Sequence, residues 1–168
     1  MQREQQELVV DVDPPDASRD DSHLSKNVLA AEAIRSLGQL RLRVTGSSML
    51  PTLWPGDVLS IRRSSIGEVG IGDIVLFIRD RRLFAHRVID RSEQALVTQG
   101  DALPIPDACV ATSELLGTVQ GVLRDGHVVP LRANPSLPSR ITMFLIRRTQ
   151  FAGRLLLRLH RLPDSVNR

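Results

Sequence analysis

Cysteine, lysine, aromatic residues and long apolar runs are all scarce in this 168-residue chain. A single cysteine, Cys109, excludes an internal disulfide framework and any cysteine-rich zinc site. Aromatic residues make up 3% and tyrosine is absent, which argues against a stacking platform for single-stranded nucleic acid. No stretch approaches the roughly 18 consecutive apolar residues of a membrane-spanning helix, and no cleavable secretory signal opens the chain. The expectation is therefore a cytoplasmic protein, soluble or peripheral at the membrane, with no transmembrane segment. Lys26 is the single lysine among 22 basic residues. That scarcity narrows the choice of side chains able to act as a base.

What remains is globular in character, with 42% hydrophobic and 24% charged residues. The length suits one domain with tails. The net charge of +3 is unevenly spread. Residues 1–22 hold seven acidic side chains against two arginines, whereas residues 132–168 hold eight arginines against one aspartate. Residues 1–22, interrupted by Pro14-Pro15, read as an acidic disordered tail. Residues 23–38 read as a helix capped by Ser22, with Leu24, Val28, Ala31 and Ile34 on one side and Gly38 closing it. This helix is expected to lie outside the β domain. From Leu40 the period changes to two. Strands are predicted at Leu40–Val44, Val58–Arg62, Ile74–Ile78, Leu83–Asp90, Ala95–Gln99, Leu116–Val122 and His127–Leu131, separated by Gly, Pro and Asp turns. Such spacing predicts a mainly β fold, a small coiled antiparallel β domain over residues 39–132 with a helix on either side. The second helix is the basic segment 133–168. Within it, nine apolar residues of Ile141–Leu162 gather on one side of a helical wheel, opposite Arg147, Arg154, Arg158 and Arg161. Residues 141–162 are accordingly expected either to dock on an anionic membrane surface or to pack on the domain.

The stretch most able to carry chemistry is Gly46-Ser47-Ser48-Met49-Leu50-Pro51-Thr52, followed by Pro55-Gly56-Asp57. A serine next to glycine, directly after a strand, can sit on a tight turn with its hydroxyl exposed and flanking N–H groups converging on an oxyanion. Pro51 biases Leu50 to extended geometry, so the stretch does not open a helix. A nucleophilic serine needs a base. Lys26 and His23 fall in the N-terminal helix, His127 follows an Asp-Gly turn, and His160 lies in the basic tail. His86 lies inside a strand of apolar and β-branched residues and is the base with a defined place in the domain. A base histidine is commonly oriented by a carboxylate that selects its tautomer. The segment from Thr98 to Asp107 offers two, Asp101 and Asp107.

Taken in order, five blocks are present: Gly-x-Ser-Met-x-Pro-Thr, Pro-Gly-Asp, Gly-Asp-Ile-Val-Leu-Phe, His-Arg-Val-Ile, and Thr-x-Gly-Asp with a second Asp six residues on. Together they resemble the type I signal peptidase superfamily. The resemblance covers about Val44 to Asp107 and continues more loosely to Leu131. Branches of that superfamily differ in the base. Some use a Ser–Lys dyad, and others carry histidine at the block where this chain has Ala85-His86-Arg87-Val88. The resemblance places the chain in the histidine branch. It implies a coiled β fold, Ser48 as nucleophile, His86 as general base, and Asp107, with Asp101 second, as the acidic partner. Many bacterial members place an oxyanion-hole serine two residues before the nucleophile. Gly46 stands there, which leaves the Ser48 N–H and the Ser47 hydroxyl for that role. The family's usual membrane-spanning segments have no counterpart, and Asp101-Ala102-Leu103 replaces the Asp-Asn-Asn of the eukaryotic branch.

The resemblance thus implies a serine endopeptidase acting through an acyl-enzyme, with no metal or organic cofactor. Its substrate would be an extended precursor or leader peptide with small side chains near the cut. The alternative is a catalytically inactive peptide-binding module of the same fold. A DNA-linked repressor peptidase is disfavoured. The residues before Val44 offer no helix-turn-helix, the dyad lysine is missing, and no nucleic-acid partner is expected.

Overall fold

The computed structural model describes residues 8–9 and 20–131. In chain order these form β1 (Leu8–Val9), α1 (Asp20–Leu37), β2 (Gln39–Arg43), β3 (Val58–Arg63), a 3-10 turn (Ile66–Glu68), β4 (Ile74–Arg79), β5 (Arg82–Arg91), β6 (Ala95–Gln99), β7 (Val110–Ala111), β8 (Leu115–Arg124) and β9 (His127–Val129). The strands join one sheet in the order β1-β2-β3-β8-β4-β5-β6-β7, with β9 pairing on β8. Every pairing is antiparallel except β1 with β2. The fold is therefore mainly antiparallel β, in line with the strands expected from the two-residue period.

Alternation along the strands sends side chains to two cores, because successive residues point to opposite faces. Ile74 and Leu76 of β4 join Leu42, Leu59, Ile61, Leu83, Ala85, Leu116, Val119 and Val122 in one cluster. Val75 and Phe77, the residues between and beyond, join Ile66, Val69, Val88, Leu96, Val110 and Leu115 in the other. Both faces of β4 are thus covered. That explains why its sequence is a continuous apolar run and not an alternating one. The β4–β5 hairpin closes on Asp80 and Arg81, both at positive φ, and Asn27 of α1 donates its side-chain N–H to the Arg81 carbonyl at 3.2 Å.

Several expectations need correction. The N-terminal helix does not lie outside the β domain. Ala30, Ala31 and Ile34 are buried in the first cluster beside the strands. Three small or branched apolar residues at helical spacing make an apolar face that must be covered, and here the sheet covers it. The helix also starts at Asp20, ahead of the expected Ser22 cap. It ends as predicted. Gly38 takes φ +77 and its N–H reaches the Ile34 carbonyl at 3.0 Å, a closure that favours glycine because positive φ strains a Cβ. Within the supposed tail 1–22, Leu8–Val9 form β1, in register with Leu42 and Arg43 at the outer edge of β2. The short strand β7 and the 3-10 turn were not predicted. Each holds too few residues to display a period. The basic segment 133–168, including Ile141–Leu162, lies outside the described residues. Among the described residues no helix is long and apolar enough to cross a membrane.

Candidate active site

After β2 the chain leaves the sheet and turns through residues 45–53. Two backbone bonds start this excursion, Val44 N–H to Asp57 O at 2.8 Å and Gly56 N–H to Val44 O at 2.7 Å. Three more curl the loop on itself: Leu50 N–H to Ser47 O, Thr52 N–H to Met49 O and Leu53 N–H to Met49 O. Met49, Leu50 and Leu53 are buried and pin the loop in the core, while Ser48 stays half-buried. The Pro-Gly-Asp block latches the far end. Buried Asp57 accepts the Trp54 N–H at 2.8 Å and receives Arg124 through two bonds of 2.7 Å. Arg124 also reaches the Thr52 carbonyl at 3.2 Å and lies over the Trp54 ring.

His86 occupies the middle of β5, paired with Val75 of β4 on one side. It is 2% exposed. Its ring meets Phe77 edge-on at 6.0 Å and lies 5.9 Å from Phe84. On the other side of β5, Thr98 of β6 stands opposite Val88. The segment after β6 then folds back. Asp107 N–H bonds the Thr98 carbonyl at 2.8 Å, and the Thr98 hydroxyl donates to Asp107 Oδ2 at 2.7 Å. These contacts set Asp107 Oδ2 at 2.7 Å from His86 Nδ1, while His86 Nε2 lies 3.1 Å from Ser48 Oγ. Ser48, His86 and Asp107 therefore form one continuous hydrogen-bonded line. Burial raises the proton affinity of the Asp107 carboxyl. The bonds from His86 and Thr98 and the nearby charges of His86 and Arg79 outweigh that and hold its pKa below the ordinary value.

Asp101, the second choice of acidic partner, is placed on Arg87, whereas Asp107, the first choice, is placed on His86. The Asp101 carboxylate is 3% exposed and faces Arg87, with Nε to Oδ1 at 2.9 Å and Nη2 to Oδ2 at 2.8 Å. The Thr52 hydroxyl also donates to Asp101 Oδ2. Arg87 further donates to the Gly72 carbonyl at 2.8 Å. This buried network ties the serine loop to the segment after β6 without engaging the imidazole. Two backbone contacts reinforce the tie. Ala102 N–H donates to Ser48 O at 2.8 Å, and Asp101 N–H points at Met49 Sδ at 3.4 Å. Gly100 permits this approach, since a Cβ there would stand 2.7 Å from Ser48 O.

The two groups named for an oxyanion, the Ser48 N–H and the Ser47 hydroxyl, flank the Ser48 hydroxyl in sequence. Among the described residues neither is given to another protein group. Lys26 belongs to α1, and His127 is exposed and bonds its own turn through the Asp125 carbonyl. Among the described residues no cluster of three or more His, Cys, Asp or Glu could hold a metal ion. Sequence reasoning missed Thr98, Thr52, Arg87 and Arg79. The first three stand inside the ordered blocks, so the blocks carried the signal. Arg79 stands just beyond Gly-Asp-Ile-Val-Leu-Phe, and no spacing marks it.

Comparison with known protein families finds no family that matches this chain, and no curated protein matches it either.

Proposed function

We propose that the chain is a serine endopeptidase of the signal-peptidase type, in the branch that uses histidine as base. The observation that carries this reading is the Ser48–His86–Asp107 line, at 3.1 and 2.7 Å, assembled from three separated segments. The five ordered sequence blocks and the antiparallel β fold support it further. Asp107 accepts the Nδ1 proton of neutral His86 and thereby turns the Nε2 lone pair toward Ser48 Oγ. Ser48 attacks the peptide carbonyl as its proton passes to Nε2, forming the Oγ–C bond. The tetrahedral oxyanion is met by the Ser48 N–H and the Ser47 hydroxyl. His86 then gives the proton to the departing amine. Water, deprotonated by His86, hydrolyses the acyl-enzyme and restores Ser48. An extended precursor or leader peptide suits a site bordered by strands and loops, and small residues near the cut are implied by the resemblance.

The test compares the full-length protein with Ser48→Ala on a mixture of unfolded polypeptides, reading new N-termini by mass spectrometry. New termini that vanish in the variant are expected, with a loss of several orders of magnitude in rate. Cleavage that persists in Ser48→Ala, or no Ser48-dependent termini at all, overturns the proposal.

A further inference from the structure

Asp107 is carried by an irregular segment, yet it must hold its position on His86 to a few tenths of an ångström. One side of its anchorage is Thr98. The other side is Arg79, at the end of β4. Arg79 donates through Nη1 to the Ala108 carbonyl at 3.2 Å and through Nη2 to the Cys109 carbonyl at 2.8 Å. Those are the two residues that follow Asp107. The guanidinium is itself fixed by Glu114, just ahead of β8, with Nε to Oε1 at 2.6 Å and Nη2 to Oε2 at 2.7 Å. Glu114 also accepts the Ala111 N–H at 2.9 Å, so the same carboxylate holds the end of β7. Arg79 further lies over the Phe77 ring at 5.6 Å, and Phe77 is the ring set edge-on to His86.

We propose that Arg79 is a positioning residue of the triad, clamping the peptide after Asp107 so that its carboxylate stays on His86 Nδ1. This rests on the peptidase reading for its kinetic consequence but not for its geometry. The fork is what the task demands. Two consecutive carbonyls and a bidentate carboxylate lie around one planar group, and a lysine ammonium offers three donors from a single point. Arg79 touches no reacting atom. It acts on Asp107 through the backbone and through its nearby charge, and on His86 through Phe77. The clamp is a quarter exposed, so it is reachable by solvent and is not a buried ion pair whose loss would unfold the sheet.

The experiment uses full-length wild type, Arg79→Lys, Arg79→Met and Asp107→Asn, each checked for a cooperative thermal transition. The first readout is the His86 ring proton on Nδ1, seen by NMR in histidine-labelled protein. A low-field resonance is expected in wild type and lost in Asp107→Asn. It should also be lost or exchange-broadened in both Arg79 variants. The second readout is cleavage of a peptide identified from wild type. Both Arg79 variants should lose about 10- to 100-fold in kcat with KM changed little, because a misplacement near 1 Å is costly while the peptide seat is untouched. If Arg79→Met fails to fold, Arg79→Lys carries both readouts. Retention of the resonance in a folded Arg79 variant overturns the proposal. So does a loss confined to KM. If wild type cleaves nothing while the resonance behaves as expected, the peptidase reading falls and the clamp stands.

Discussion

His86 and Arg87 are neighbours on β5, both are buried, and each meets an aspartate of the segment that follows β6. Their surroundings differ. Arg87 faces Asp101 with two bonds, reaches Gly72 and Thr52 with others, and lies in a pocket where both charged side chains are under a tenth exposed. That network joins two buried charges to each other, to a backbone carbonyl and to the serine loop. His86 uses Nδ1 on Asp107 and leaves Nε2 to a half-buried serine hydroxyl. That line has an open end. A buried ion pair whose hydrogen bonds are mutually satisfied serves as scaffold, whereas proton transfer needs a group poised between a fixed acceptor and a reachable donor. On the proposed peptidase reading, adjacent positions on one strand thus separate the chemistry from its support.

The sharpest way to break this comparison is to remove each neighbour in turn. His86→Ala should cost several orders of magnitude in peptide cleavage, and adding Ser48→Ala should make it little worse, since the pair acts as one unit. His86→Lys should not restore activity, because a longer amine enters a site shaped around an imidazole and two phenyl rings. Arg87→Met should instead reveal itself in stability. It leaves the Asp101 carboxylate buried and uncompensated, at about 3–5 kcal/mol. Urea midpoints and cleavage by the folded fraction, measured side by side, separate the two. A Lys26 variant that abolishes cleavage while His86→Ala tolerates it would reverse the choice of base.

The aspartates extend the comparison. Asp107→Asn should slow cleavage by about two to four orders of magnitude, because an amide can stabilise the wrong imidazole tautomer. Asp101→Asn should act chiefly on stability. A larger kinetic loss at Asp101 than at Asp107, with both variants folded, would exchange their roles. A smaller effect is expected at Gly100, which lies between the two systems. Gly100→Ala forces a Cβ toward Ser48 O and the Leu103 side chain, at 2.7 and 2.9 Å. A loss of about 1–3 kcal/mol is expected from such overpacking. Because the obstacle is the carbonyl of Ser48, the proposed nucleophile, kcat should fall as well. Unchanged kcat would mean that the serine loop does not depend on this approach.

Most strands were legible from apolar residues at period two or, for β4, from a short apolar run between turns, and Ala95–Gln99 was placed to the residue. The helix was legible, but its docking was not. Ala30, Ala31 and Ile34 state that one face is apolar and not what covers it. Ser48 and His86 stood out through block order and through the shortage of other bases. The choice between Asp101 and Asp107 stayed open because a carboxylate's role is fixed by its neighbours across the fold. Arg87 claims one through the sheet, and Thr98 presents the other. Arg79 and Glu114 are 35 positions apart, and only the β4–β8 pairing brings them together.

The smallest expected effect concerns acid stability. The Asp107 carboxyl titrates below its ordinary value of 3.8 in the folded chain. Its contribution to stability is therefore complete above the unfolded value. It is lost as pH falls through the lower folded one, because the unfolded chain binds the proton first. Glu114 acts in the same direction. The Arg79 bond comes first among the causes that hold it below 4.5, and that bond outweighs its partial burial. Wild type should thus weaken progressively between about pH 5 and pH 2, more steeply than Asp107→Asn, whose residue 107 no longer titrates. The difference between the two should be present at neutral pH and shrink toward the acid end. Glu114→Gln should remove a further part of the slope, since it titrates a separate clamp joined to Asp107 only through Arg79. Urea midpoints collected across that range measure each slope. If Asp107→Asn and wild type run parallel down to pH 2, Asp107 is not stabilised as an anion by His86 and Thr98, and the tautomer argument built on that anion fails with it.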